Sequence, residues 1–385
     1  MGLQKKSKLF SGLLLCMLTV MASASEEQKT SRTEKERLGQ QLFFDPGLSR
    51  NRSQSCATCH VPDRAFIDSR ESQVGGAASL GDDGHSLGDR NTPSAGYAAL
   101  TPSFHLKKNG EYAGGLFWDG RADTLADQAA GPPLNPIEMA MPSKEKVAER
   151  LLEKAHYREL FTRLYGKKVL NDPEALYQAM SDAIAAFEET ELFAPFDSRY
   201  DRYLKGELEF TQQEELGRTL FFSQQFTNCN SCHQLHTSPR HPRETFSNYE
   251  FHNIGVPVNT QLRASNQVTQ VDEGLLMHPD IDDPNQRGKF KTPSLRNVAV
   301  TPPYMHNGVF KDLRTVVLFY NKYNSRAPAR QINPETGEPW ADSEVPENLS
   351  MELLESGPAL DDRRIDALVA FMKTLTDQRY EHLLE

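Results

Sequence analysis

The amino-acid sequence predicts a mainly α-helical protein arranged as a tandem of two similar halves, and three observations carry that prediction. The pattern Cys-x-x-Cys-His occurs twice, as Cys56-Ala57-Thr58-Cys59-His60 and as Cys229-Asn230-Ser231-Cys232-His233. Ahead of each lies a matching run, Leu38-Gly39-Gln40-Gln41-Leu42-Phe43-Phe44 and Leu216-Gly217-Arg218-Thr219-Leu220-Phe221-Phe222. Each half then closes on a similar apolar segment, Ala183-Ile184-Ala185-Ala186-Phe187 and Ala367-Leu368-Val369-Ala370-Phe371. Apolar residues near i, i+3 and i+4 make both closing segments amphipathic helices with a stripe to bury.

Taken in chain order, the first element is a leader. Lys5, Lys6 and Lys8 precede an apolar stretch from Leu9 to Ala22, which ends in Ala22-Ser23-Ala24. A basic region, an apolar region and a small-residue cleavage site mark residues 1–24 as a signal peptide for export to the periplasm. The stretch is shorter than the ~20 apolar residues of a membrane span and is interrupted by Ser11, Gly12 and Thr19. No stable membrane span is therefore expected, and Leu15 is too bulky to precede a lipidated Cys16. Cleavage before Ser25 removes three lysines and no acid, which takes the net charge from −10 to −13. That balance offers no basic footprint and excludes nucleic acid as a partner. Charged residues at 25% and aromatics at 9% also exclude a wholly disordered chain.

Cys16 leaves with the leader, and the remaining four cysteines all lie in the two Cys-x-x-Cys-His runs. Four cysteines in an exported protein ordinarily suggest two disulfides. This spacing is instead the attachment signature of c-type haem. Two intervening residues put both sulfurs on one helical turn, where they form thioethers to the porphyrin, and the adjacent His supplies the proximal iron ligand. A zinc site of four cysteines would leave His60 and His233 unexplained. Two covalently bound haem c groups are expected, one on Cys56, Cys59 and His60 and the other on Cys229, Cys232 and His233.

The fold expected is thus a tandem of two cytochrome c-like domains, each with one covalent haem c, joined by long ordered loops. The first spans residues 25–191 and the second 207–385. Between them Pro195 and the Asp197-Ser198-Arg199 stretch interrupt helical periodicity. Segments 68–114 and 234–292 are rich in Gly, Pro and Asn and read as ordered loops around the haems. His236, His241, His252 and His278 in the second loop match no metal-site spacing and read as surface residues. Trp340, in Gly337-Glu338-Pro339-Trp340, has a loop setting and is given no role.

Further motifs carry a resemblance. Arg90-Asn91-Thr92-Pro93, Trp118-Asp119-Gly120-Arg121, Thr292-Pro293-Ser294-Leu295-Arg296-Asn297 and Pro303-Tyr304-Met305-His306-Asn307-Gly308 resemble those of the bacterial di-haem cytochrome c peroxidase/MauG family. The resemblance runs over essentially the whole mature chain. Peroxide cleavage needs an open iron site and a group that moves a proton between the two oxygens. The resemblance makes the first haem the peroxidatic one, with Glu138 as distal acid/base, Gln128 as hydrogen-bonding partner and Pro132 shaping the pocket. It places Trp118 between the haems as their electronic coupling. Asn91, Thr301 and Pro303 match positions around an inter-haem Ca2+, a hard cation suited to oxygen ligands.

The second, electron-transfer haem sets the subtype. Peroxidases proper carry a Met ligand 14 residues after the His of Tyr-x-His-x-Gly, here His306; position 320 is Tyr, as in MauG-type proteins. Tyr320 is thus the expected second ligand opposite His233. Met305 and Met277 are rival ligands, and His85 is a possible ligand of the first haem. A thioether favours ferrous iron, whereas an anionic phenolate favours ferric and higher states.

The function so implied is a periplasmic di-haem oxidase of MauG type. It would use H2O2 to form high-valent haem iron and oxidise a redox-partner protein or protein substrate by long-range electron transfer. The alternatives are a conventional cytochrome c peroxidase, fed electrons by a small cytochrome or copper protein, and a di-haem electron carrier without chemistry.

Overall fold

The computed structural model describes residues 34–384 except 239, so the leader and the first residues after it lie outside the described residues. Among the described residues the chain is mainly helical. Its helices are α1 over 34–43, α2 Cys56–Cys59, α3 Leu125–Ala129, α4 Lys144–Glu153, α5 Ala155–Tyr165, α6 Pro173–Glu188 and α7 Arg199–Leu204. They continue with α8 Gln212–Phe221, α9 Cys229–Cys232, α10 Thr260–Asn266, α11 Leu313–Asn324, α12 Met351–Leu354 and α13 Asp362–Lys373. Two antiparallel pairs of two-residue strands complete the regular structure: β1 His105–Leu106 with β2 Tyr112–Ala113, and β3 Phe251–His252 with β4 Phe290–Lys291. No described helix is long and apolar enough to cross a membrane.

The longer helices begin where an acidic cap satisfies their free N–H groups. Asp172 accepts from the backbone of Glu174 and Ala175 at the start of α6, with Pro173 in its first turn. Asp361 accepts from Arg364 at the start of α13.

The repeated sequence runs meet in space. A Cβ on Gly39 would overlap the carbonyl of Ala183, standing 2.7 Å from its carbon and 2.9 Å from Phe187 Cβ. One on Gly217 would overlap the carbonyl of Ala367, at 2.6 Å from its carbon and 2.8 Å from Phe371 Cβ. So α1 crosses α6 and α8 crosses α13 at the same residue types, in contact too close for any side chain but hydrogen. Each crossing anchors a buried cluster. Leu38, Leu42, Phe43, Phe161, Met180 and Phe187 belong to the first, and Leu220, Phe221, Leu318, Ile365 and Phe371 to the second. Gly217→Ala is expected to destabilise the haem-loaded protein by about 1–3 kcal/mol or more, the usual penalty of overpacking. Denaturant unfolding measures this, and an unchanged midpoint would contradict the crossing.

The irregular segments repeat as well. Ser94 Oγ donates to Ala65 O (2.6 Å) and Ser294 Oγ to Thr245 O (2.7 Å). Three residues on, Tyr97 and Asn297 both take left-handed φ, 62° and 63°, and donate to Phe193 O and Leu375 O. Phe117 and Met305 are likewise left-handed and sit inside matching bridges, Leu116 with Ala122 and Tyr304 with Phe310. The halves are tied reciprocally at this point. Asn91 N donates to His306 O (2.7 Å) and Lys291 N to Trp118 O (2.9 Å).

A buried polar network adds a second tie. Arg296 pairs with both carboxylate oxygens of Asp201 (2.6 and 3.0 Å) and donates to Glu244 O. Tyr97 donates to Asp377 (2.5 Å), whose other oxygen accepts from Asn297 (2.8 Å).

Two of the four loop histidines are not surface residues. His252 is 9% exposed because strand β3 draws it inward, and His278 is buried with its ring stacked on Phe104 at 4.1 Å. His236 and His241 stack on each other at 3.5 Å with part of their surface in solvent. Trp340 packs edge-on against Phe310 and Phe319 and donates to Arg330 O, a core contact of the second half.

Candidate active site

Each Cys-x-x-Cys-His run folds as one helical turn, closed by His60 N donating to Cys56 O and His233 N to Cys229 O, both at 2.9 Å. All four thiols are free rather than paired in disulfides. Burial pushes Cys59 up to about 11 and Cys232 up to about 12, which keeps the sulfurs neutral. His60 Nδ1 lies 3.1 Å from Phe66 O and His233 Nδ1 3.2 Å from Phe246 O. A carbonyl only accepts, so Nδ1 carries the proton in both rings and Nε2 keeps its lone pair. Burial also lowers both imidazoles, His233 to about 4, so they stay neutral and able to ligate a metal.

Each turn opens into its own cavity, about 660 Å³ over Cys56, Cys59 and His60 and about 230 Å³ over Cys229, Cys232 and His233. Two sulfurs and one imidazole on the wall of a largely apolar cavity match the donor set that a haem c would use. Among the described residues no group of three or more His, Cys, Asp or Glu forms an alternative metal centre.

The structure gathers Glu138, Gln128, Pro132 and Trp118 on the wall of the His60 cavity. Glu138 Oε1 accepts from Asn135 Nδ2 at 3.0 Å. Asn135 O in turn receives the N–H groups of Glu138 and Ala140, so the turn-rich run holds the carboxyl in place. Burial raises the Glu138 carboxyl above its usual range against the opposing pull of Asn135 and Arg121. Asn135 lies within the proline-rich run of the sequence, but nothing in that run marked it as the orienting partner. Arg121, over the face of Phe117 at 3.7 Å, and Glu188 on α6 also line this cavity.

Trp118 lines both cavities and donates from Nε1 to Asn91 O at 2.8 Å. Asn91, Thr301 and Pro303 all lie on the wall of the His60 cavity that Trp118 shares. Arg90 reaches across the same region, pairing with Asp119 and, in bidentate fashion, with Asp272, each at 2.7 Å.

In the second cavity Tyr320, Met305, His306 and His252 line the wall with His233. Burial and the nearby Cys232 and Cys229 raise the Tyr320 phenol above its ordinary value. Met277 is elsewhere: it is 57% exposed at the His60 cavity, with its sulfur 3.4 Å from Arg90 Nη2. His85 is exposed on a turn whose N–H groups bond Asp83, and it does not line the His60 cavity.

The two cavities differ at equivalent positions. Thr124 caps α3 and Asp312 caps α11, each accepting from the residue three further on. Four residues past each cap stand Gln128 and Val316, and eight past stand Pro132 and Tyr320, all four on cavity walls. Helix α11 runs on for 12 residues and carries Tyr320 into place. Helix α3 stops after five, because Pro132 and Pro133 lack the N–H that would continue it. The His60 cavity has a pyrrolidine ring where the other has a phenol.

Comparison with known proteins agrees with this arrangement. A family model described as di-haem cytochrome c peroxidase matches residues 33–209. The methylamine utilization protein MauG of Paracoccus denitrificans is 56% identical over 373 residues, covering 96% of each chain. A cytochrome c551 peroxidase of Nitrosomonas europaea is 33% identical over 273 residues, 70% of this chain and 68% of that one. Among solved structures, the diheme peroxidase BthA of Burkholderia thailandensis superposes with a TM-score of 0.79 at 36% identity, covering 91% and 88% of the two chains.

Proposed function

Because the chain belongs to the di-haem cytochrome c peroxidase family and is a haem-dependent oxidoreductase, we propose that it is a MauG-type oxidase. In this reading H2O2 is spent on oxidising a protein substrate or redox partner. The observation that carries the reading is the exchange of Pro132 for Tyr320 at equivalent positions of the two cavities. In this reading Pro132 would leave the His60 side open to peroxide, and Tyr320 would offer the His233 side an oxygen ligand. Residues 25–191 and 207–385 are read as the two cytochrome c-like domains. Cys56, Cys59, Cys229 and Cys232 carry the thioethers, and His60 and His233 are the proximal ligands. Asn91, Thr301 and Pro303 surround a Ca2+, and residues 1–24 direct the chain to the periplasm.

The haems supply a peroxide-binding site and a store for two oxidising equivalents. The chain's own residues do the rest. With peroxide bound, Glu138 would take a proton from its near oxygen and pass it to the far one, so that the O–O bond breaks with water as leaving group and the two electrons drawn from the haems. Gln128 and Asn135 orient the peroxide and the carboxyl, and Pro132 keeps the position over His60 clear. Trp118 spans the two cavity walls and couples the two centres, so that oxidation of the substrate takes place at a distance from the peroxide. The likeness to a methylamine utilization protein favours a protein of methylamine utilization as that substrate.

Cyanide binding to the oxidised, haem-loaded protein tests the open and closed assignments. The expected result is a spectral shift in one haem only, with a stoichiometry of one. No shift in either haem would make the protein an electron carrier, and shifts in both would remove Tyr320 from its place as ligand.

A further inference from the structure

The register of the two helix crossings sets each residue of α6 beside a counterpart in α13. Gly39 against Ala183 and Phe187 matches Gly217 against Ala367 and Phe371. Ile184 therefore corresponds to Leu368, and both line their cavities. The next cavity-lining position one turn on is Glu188 in the first half and Met372 in the second. Where one haem cavity is walled by a thioether, the other is walled by a carboxyl.

Glu188 is 6% exposed, and its Oε2 is fully buried with no hydrogen-bond partner. Several charged groups on the elements packed around α6 are engaged elsewhere. Lys35 of α1 pairs with Asp182, Asp127 of α3 closes the Thr124 cap, Lys144 of α4 pairs with Glu174, and Arg163 of α5 pairs with Glu34. Inside the cavity stand Cys56, Cys59 and His60, the acids Asp89, Asp119, Glu138 and Asp272, and the bases Arg90, Arg121, Arg263, Lys291 and Arg296. No salt bridge joins Glu188 to any of them, so nothing repays its carboxylate for leaving water. A carboxyl in this setting is held neutral until a positive charge develops beside it.

We propose that Glu188 gains and loses one proton as the haem held at Cys56, Cys59 and His60 gains and loses one electron. When an external donor supplies an electron, the Glu188 carboxylate takes a proton from solvent. When the electron leaves to an acceptor, Glu188 returns that proton. Burial alone pushes the carboxyl up to about 8, so the exchange falls in the neutral to mildly alkaline range. Met372 has no proton to exchange, and the second haem lacks this coupling. Glu188 is thus a positioning residue, which sets the energy of the first haem without touching the peroxide. The proposal rests on haem attachment at the first Cys-x-x-Cys-His and not on the peroxide chemistry.

The test is a spectroelectrochemical titration of both haems in the haem-loaded protein, from about pH 6 to pH 10. In the wild-type protein the potential of one haem is expected to fall as pH rises, approaching about 59 mV for each tenfold drop in proton concentration. Glu188→Gln and Glu188→Met, the latter copying the second half, are expected to flatten that slope. Infrared difference spectra between reduced and oxidised protein are expected to show a protonated-carboxyl band that both variants lack. A slope that survives in either variant, or a wild-type protein with neither slope nor band, overturns the proposal. A protein that shows the slope but ignores H2O2 would keep this inference and lose the oxidase reading. One that reacts with H2O2 but shows no slope would do the reverse.

Discussion

Glu138→Gln is expected to slow the reaction of the oxidised, haem-loaded protein with H2O2 by about 10²–10⁴-fold, the usual contribution of a positioned acid/base. The amide is close in shape and keeps the contact with Asn135, so haem content and resting spectrum are expected to stay unchanged. The pH dependence has a definite sign. Burial holds the Glu138 carboxyl above its ordinary range. As pH falls through that raised value the carboxyl becomes protonated and is no longer a base for the first proton from peroxide. The wild-type rate constant therefore falls on the acid side, and the Glu138→Gln rate constant loses that dependence. Stopped-flow mixing across pH measures both. An unaltered rate in the variant would leave Glu138 as a structural residue of its turn.

The second large effect is expected at the other cavity. In the proposed reading Tyr320→Met exchanges an oxygen ligand for a thioether, and it is expected to raise the potential of the second haem on the order of 0.1 V, within the ≈0.8 V that axial ligands span. The variant haem should be easily reduced and should no longer share the oxidising equivalents of peroxide, which converts the protein toward a conventional peroxidase. Potentiometry with the haem-loaded variant checks this. An unchanged potential would remove Tyr320 as the ligand and leave Met305, His252 and His306 on that cavity wall as candidates.

Much of the site was legible in the sequence because its chemistry is local. Two cysteines and a histidine within five residues carry their own geometry, and the matching runs around Gly39 and Gly217 announced the duplication. The partners of those glycines were harder to see. That Gly39 meets Ala183 depends on a crossing of helices 144 residues apart, which no local pattern encodes. The loop repeats were less legible still. Tyr97, Phe117 and Met305 adopt left-handed backbone, as Asn297 does; Asn takes that conformation readily, whereas the three bulky side chains rarely do and do not advertise it. The burial of His252 and His278 follows from β3 pairing with β4 and from Phe104, contacts made across long irregular segments. In the sequence Glu188 simply follows the apolar segment that ends at Phe187, with nothing to set it apart. Its register against Met372 gives it meaning, and that register comes from three dimensions.

The open first cavity and the Tyr-lined second one together form the central claim, and one experiment addresses it. Fully oxidised, haem-loaded protein is mixed with one equivalent of H2O2 in a stopped-flow spectrometer with no reductant present. A rapid, long-lived change in the absorption of both haems is the predicted result, because Trp118 lines both cavities and Tyr320, as the proposed ligand, would favour oxidised iron. Silence until one haem has first been reduced would contradict the account and make the protein a conventional peroxidase.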